Sequence, residues 1–177
     1  MADRFPVVIH HNRDCGTSRN VLEMIQAAAY APEVVEYLKT GWTRPQLLAL
    51  LAVMGAAPRA LLRQKGSPAA ELGLLAPDVD DEVLLEAMVR HPILVNRPIV
   101  ATPKGVALCR PSEAVFALLE RRPETFTKED GEVVGFQGSD QIPASVRLKS
   151  LEASLLHRPA SSRTQRAPPR PARRAGP

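Results

Sequence analysis

Apolar positions switch between two spacings along the chain, and each switch marks a predicted element. Phe5–His10 (FPVVIH) is a short β-branched run that predicts a first strand. It meets a turn-rich loop, Asn12-Arg13-Asp14-Cys15-Gly16. Val21, Leu22 and Ile25 then fall on one face of a helix predicted from about Thr17 to Ala29, with Thr17 or Ser18 as its capping hydroxyl. Glu33–Leu38 (EVVEYL) predicts a second strand. Thr43 and Pro45 open a helix that runs through Met54 and stops at Gly55. Pro58–Arg63 and Asp80–Arg90 predict two more helices, the second capped by Asp78 or Asp80 and ended before Pro92.

Pro98–Thr102 (PIVAT) and Val106–Cys109 (VALC) are short apolar runs on either side of Pro103-Lys104-Gly105, which is a β-hairpin signal. Ser112 is placed to cap a final helix, Glu113 to Leu119. The order β-α-β, several helices, then β-β-α predicts an α/β fold. An antiparallel hairpin lies beside a βαβ unit in a mixed sheet with flanking helices, and an all-helical insertion of about 43–91 separates the halves.

Composition narrows the class. The 177 residues are 45% hydrophobic and 24% charged, which suits one sizeable core without a disulfide or metal as substitute. Two cysteines exclude a disulfide-knit scaffold and a four-cysteine zinc site. The longest apolar stretch, Leu47 to Ala57, has 11 residues, against the roughly 20 a membrane-spanning helix requires. Met1–Arg13 has no long apolar run and does not read as a signal peptide. The expectation is a soluble, cytoplasmic protein with no membrane partner.

The net charge of +4 is unevenly spread. Residues 138–177 hold eight Lys+Arg and two acids, leaving 15 basic and 17 acidic residues in 1–137. The domain is therefore expected over 1–137, mildly acidic, followed by a basic Pro/Arg-rich tail. Ser145–His157 has at best a weak amphipathic pattern. From Arg158 the sequence RPASSRTQRAPPRPARRAGP lacks acids and large apolar residues, a composition expected to stay disordered. A solvated extension is preferred over an RNA-binding arm, because six arginines without aromatics are a generic electrostatic footprint. Nucleic-acid contact is expected, if anywhere, only there.

The residue richest in chemistry is Cys15. A cysteine between a strand and a helix meets unpaired N–H groups, here of Gly16, Thr17 and Ser18, which favour a thiolate and could cradle a tetrahedral oxyanion. His11 lies four residues upstream and would support the thiolate if protonated. Cys15–Ser18 (CGTS) is a C-x-x-C pattern with Ser18 in the second position, and serine cannot resolve a disulfide. An outside thiol would have to complete any redox cycle. Cys109, at a strand end, reads as core before it reads as a second thiol.

Arg63, Arg97 and Arg110 stand out by setting, Arg97 and Arg110 each preceding a proline that holds them extended. Guanidinium groups stay charged and bind tetrahedral oxyanions bidentately. Pro98 is a candidate cis-proline, and His91 reads as a complement to a helix dipole. No metal-ligand spacing and no nucleotide-binding motif appears.

Taken together, H-N-x-x-C-G-T-S-R-N-x-L-E-M-I (His11 to Ile25), R-A-L-L-R (Arg59 to Arg63), E-L-G-L (Glu71 to Leu74), H-P-I-L-V-N-R-P-I-V (His91 to Val100) and L-C-R-P-S-E (Leu108 to Glu113) closely resemble the glutaredoxin-dependent arsenate reductase family of bacteria. The match runs from about Val7 to Gly131 and closes on F-x-K-E-D-G-E (Phe126 to Glu132). The resemblance implies a thioredoxin-like fold, with Cys15 as nucleophile and Arg63, Arg97 and Arg110 as the arginines that hold the arsenic oxyanion. His11 and Ser18 match positions near the thiolate, and Pro98 matches the cis-proline. Arsenate is the implied substrate, glutathione a co-substrate and glutaredoxin a partner, with no tightly bound cofactor. A competing reading within the same superfamily is a thiol-based regulator that binds a protein partner. The sequence departs from the family after Glu132, where it runs into the Pro/Arg tail.

Overall fold

The computed structural model describes residues 5–135. The weak amphipathic pattern at Ser145–His157 and the basic tail lie outside these residues.

β1 (Val8–His11) is flanked in a four-stranded sheet by β2 (Glu33–Glu36) and β3 (Ile99–Thr102), and β4 (Gly105–Leu108) completes the order β2-β1-β3-β4. β1 and β2 run parallel, joined through α1 (Gly16–Ala27), while β3 is antiparallel to both β1 and β4. A mixed sheet follows directly, as a crossover helix makes a parallel pair and a tight turn an antiparallel one. The register sets His11 opposite Glu36 and Ile9 opposite both Val34 and Val100. The thiol loop after His11 therefore leaves the sheet beside the chain that follows Glu36.

Two apolar clusters form the core. One gathers Ile9, Val21, Met24, Ile25, Val100 and Phe116, from the central strands, α1 and a 3-10 helix at Ser112–Leu118. The other gathers Leu47, Leu61, Leu84, Met88, Leu94 and Ile99. β3 supplies Ile99, and the helices at Arg44–Met54 and Asp81–Arg90 supply Leu47, Leu84 and Met88. Ile99 and Val100 enter different clusters because adjacent strand residues point to opposite faces. Full burial of each such side chain contributes about 1.5–3 kcal/mol.

Between these helices and β2 lies a one-turn helix, α2 (Tyr37–Thr40), so the two longer ones are α3 (Arg44–Met54) and α4 (Asp81–Arg90). Helix ends with explicit signals lie where the sequence puts them. Thr43 Oγ1 accepts from Gln46 N while Gln46 Oε1 accepts from Thr43 N, a reciprocal capping box. Gly55 closes α3 with φ 60°, a left-handed geometry that glycine adopts without a Cβ clash. Asp80 caps α4 by accepting from Glu82 N.

Four expectations are corrected. Cys15, not Thr17 or Ser18, holds the cap position of α1, because the Ser18 hydroxyl turns inward to accept from Asn12 N. β2 stops at Glu36, and α2 follows, which swings the Tyr37 ring into the core. The predicted helix Pro58–Arg63 is a shorter 3-10 turn, Pro58–Leu61, since Leu62 pairs with Val95 as an isolated bridge and Arg63 N donates to Leu94 O. Ser112 caps nothing: Pro111 precedes the 3-10 helix Ser112–Leu118, and Ser112 is buried.

A second hairpin, β5 (Thr125–Thr127) with β6 (Val133–Gly135), has no counterpart in the expected elements. Its turn carries Asp130-Gly131, with Gly131 at φ 84°, and that dipeptide is a hairpin signal in its own right. Lys128 anchors it by pairing with Glu113 and Glu132. Among the described residues no helix is long and apolar enough to cross a membrane.

Candidate active site

The loop between β1 and α1 is wired through one residue. Asn12 N donates to Ser18 Oγ at 3.0 Å, Asn12 O accepts from Cys15 N at 3.1 Å, and Asn12 Oδ1 accepts from Asp14 N at 2.9 Å. These bonds close the loop tightly and leave Cys15 at the head of α1, its carbonyl taking the N–H groups of Ser18 and Arg19. Only 8% of the Cys15 surface is exposed.

Burial pushes the Cys15 thiol up, but it is overcome. The Ser18 N–H, the Arg97 charge, and the hydrogen bond and charge of Arg110 together hold the thiol below its ordinary value. His11, expected as a supporter if protonated, is also buried, and burial lowers its pKa. The ring is thus mainly neutral at pH 7, with Nδ1 3.1 Å from Ser18 Oγ. It braces the serine that braces the loop.

The three arginines of the sequence analysis converge with this thiol. Arg110 Nη1 donates to Arg97 O at 3.1 Å, and both residues precede cis peptide bonds, at Pro98 as expected and at Pro111 as well. Arg97 Nε is buried without a hydrogen-bond partner among the described residues. Arg63 Nε donates to Lys65 O at 2.8 Å, and its guanidinium lies so close to Gly66 that a Cβ there would sit 2.8 Å from Nη2. Burial and then the Arg97 charge lower the Arg63 pKa, with Cys15 and Arg110 also in its field. Among the described residues no carboxylate pairs with Arg63, Arg97 or Arg110, whereas Arg13, Arg19, Arg44 and Arg90 all have acidic partners. Cationic groups left without an internal anion form a receptor for an external one.

Cys109 stands apart. It is fully buried, its thiol pushed up to about 12 by burial, and its N–H donates to Pro98 O at 2.9 Å. That is the environment of an inert core thiol.

Sequence reasoning misses two residues near the thiol. Asn12 reads there only as part of a turn, although an Asn that starts such a loop is suited to an Asx bond. Tyr37 reads only as part of a strand; in the structure it is fully buried and its hydroxyl donates to Val95 O at 3.3 Å. On the outer side, Arg19 Nη2 donates to Glu129 Oε2 at 2.8 Å and Asn20 Oδ1 accepts from Glu129 N at 3.1 Å. These bonds tie the β5–β6 turn to the first turns of α1.

The parallel β1-α1-β2 unit, the antiparallel β3–β4 hairpin headed by a cis-proline, and a thiol at the start of α1 define a thioredoxin-like protein. Residues 10–118 match the model of the ArsC family, and the chain belongs to that family. The arsenate reductase ArsI2 of Synechocystis sp. is 61% identical over 129 residues, spanning 72% of this chain and 92% of that protein. The arsenate reductase of Escherichia coli K12 is 50% identical over the same length and shares. Among solved structures, the arsenate reductase from Vibrio cholerae superposes with a TM-score of 0.63 at 35% identity, covering 66% of this chain and 100% of that one.

Proposed function

We propose that this chain reduces arsenate to arsenite with Cys15 as nucleophile, Arg63, Arg97 and Arg110 as oxyanion ligands, and glutathione and glutaredoxin as external thiols. The observation that carries the reading is a thiol held below its ordinary pKa among three arginines that no carboxylate among the described residues neutralises. The arsenate reductases among its relatives support the choice of oxyanion.

The Cys15 thiolate attacks arsenic and forms an S–As bond. One As–O bond breaks, and a proton from solvent lets that oxygen leave as water, so arsenic remains As(V). The arginines offset the charge of the arsenate oxygens and of the thiolate that approaches them, two anions that otherwise repel. Glutathione adds next, exchanging a second oxygen, as water, for its sulfur. The glutaredoxin thiolate attacks that glutathione sulfur and forms a mixed disulfide. The electron pair of the broken S–As bond stays on arsenic, reducing it to As(III). Water then displaces the Cys15 sulfur, releasing arsenite and the thiol. Ser18 in the second position of the CGTS motif fits a cycle closed by outside thiols. A cytoplasm that keeps thiols reduced is the compartment such a cycle requires.

The test is arsenate-dependent NADPH consumption with glutathione, glutathione reductase and glutaredoxin supplied, comparing the native protein with Cys15→Ser. Turnover that needs both thiols and vanishes in the variant is expected. No turnover from folded native protein overturns the reading and favours a regulator that binds a partner.

A further inference from the structure

We propose that the Tyr37 hydroxyl is a positioning group for oxyanion binding, holding the segments that carry Arg63 and Arg97 in place beside the thiol loop; this rests on the site reading above. Tyr37 leaves the end of β2, whose last residue Glu36 is in register with His11 at the end of β1. The ring therefore starts from the sheet end that emits the thiol loop. Its hydroxyl reaches 58 residues along the chain to donate to Val95 O at 3.3 Å.

Val95 is where the two arginine segments meet. It bridges Leu62, the residue before Arg63, and it lies two residues before Arg97. Arg63 N donates to Leu94 O and Asn96 N donates to Leu61 O, both at 2.7 Å, so the segments are locked to each other. Tyr37 ties the β2 end to that locked pair through its side-chain hydrogen bond. The Trp42 ring lies 5.3 Å away centroid to centroid, and Tyr37 itself has no exposed surface.

The electrostatics agree with this placement. Burial raises the hydroxyl pKa against the opposing charges of Arg97 and Arg63 and the influence of the nearby Asn12 side chain. The hydroxyl therefore remains a protonated donor at neutral pH. It ties the β2 end, in register with the strand that emits the thiol loop, to the arginine segments without adding charge of its own.

The experiment alkylates Cys15 with iodoacetamide in the full-length protein and measures the arsenate concentration that half-protects it, in native protein, Tyr37→Phe and Trp42→Phe. Circular dichroism sets a temperature at which each is folded. Tyr37→Phe removes one oxygen and keeps the ring, so half-protection should need about 2–10-fold more arsenate, the range set by the net worth of one hydrogen bond. The thiol's titration midpoint should rise by less than in Arg97→Ala, because the hydroxyl is neutral and acts only through the placement of the Arg97 charge. Trp42→Phe disturbs the same aromatic cluster but keeps the hydroxyl bond, and should protect like the native protein.

Equal protection in Tyr37→Phe and native protein overturns the proposal alone. So does a loss in Trp42→Phe as large as that in Tyr37→Phe, or a midpoint shift in Tyr37→Phe as large as that in Arg97→Ala. Absence of arsenate protection in the native protein overturns the site reading and this proposal with it.

Discussion

Bringing arsenate to a thiolate joins two anions, so a residue that serves this step must supply charge without bringing its own counterion. In the proposed site Arg110 acts on both anions, since it lowers the Cys15 pKa and lies in the field of Arg63. Arg110→Ala should raise the thiol titration midpoint and weaken arsenate binding about 10–100-fold, as a charge-assisted hydrogen bond is worth roughly 1.5–3 kcal/mol. Arg97→Ala should also raise the midpoint, through lost charge. A pH series of iodoacetamide rates measures both, and an unmoved midpoint in Arg110→Ala defeats its role at sulfur. In the native protein the same reagent at neutral pH should modify Cys15 and spare Cys109, whose thiol is buried and pushed to about 12. Peptide mass mapping reads this directly. Cys15 is legible in the sequence because its neighbours are turn-forming and polar. Tyr37 is not, because an aromatic shortly after two valines reads the same whether it ends a strand or starts a helical turn.

At the level of elements, ends that carry their own hydrogen-bonding chemistry are legible and ends set by tertiary contacts are not. Thr43, Asp80 and Gly55 mark their helices because each satisfies or closes a backbone terminus locally. The 3-10 turn Pro58–Leu61 ends where Leu62 and Arg63 bond to a segment more than thirty residues away, which no local pattern contains. β5 and β6 are three residues each, too short for alternation to register, and their Asp-Gly turn is the one local signal they carry. The capping box gives a clean test. Thr43→Ala removes the acceptor for Gln46 N and should cost about 1 kcal/mol. Urea denaturation should show a lower midpoint with an unchanged slope, while Cys15 alkylation keeps its native pH profile, since the change lies in the helix cap.

For the molecule as a whole, convergence is what the linear chain hides. Cys15, Arg63, Arg97 and Arg110 lie on four separate segments, and it takes the sheet register and the Leu62–Val95 bridge to assemble them. Family resemblance anticipates the set; spacing alone leaves three arginines among many. The global cost of this packing is visible at His10, on β1 beside the thiol loop. Its ring sits 4.7 Å from Trp42, its Nδ1 is buried without a hydrogen-bond partner among the described residues, and burial lowers its pKa from 6.5 to about 4. In the unfolded chain His10 takes up a proton near pH 6.5, in the folded chain only near 4. Protons therefore favour unfolding across that window: the contribution is whole above pH 6.5 and is lost as the pH falls to about 4. Its size is at most roughly 3–4 kcal/mol, because each tenfold difference in proton affinity between the two states is worth about 1.4 kcal/mol. His11, also depressed by burial, adds in the same direction. The chain's single tryptophan, Trp42, reports on the event because it touches His10. Urea unfolding followed by Trp42 fluorescence should show stability declining from pH 6.5 to 4 in the native protein, and a shallower decline in His10→Phe. Equal slopes in the two proteins would mean that His10 does not carry the acid sensitivity.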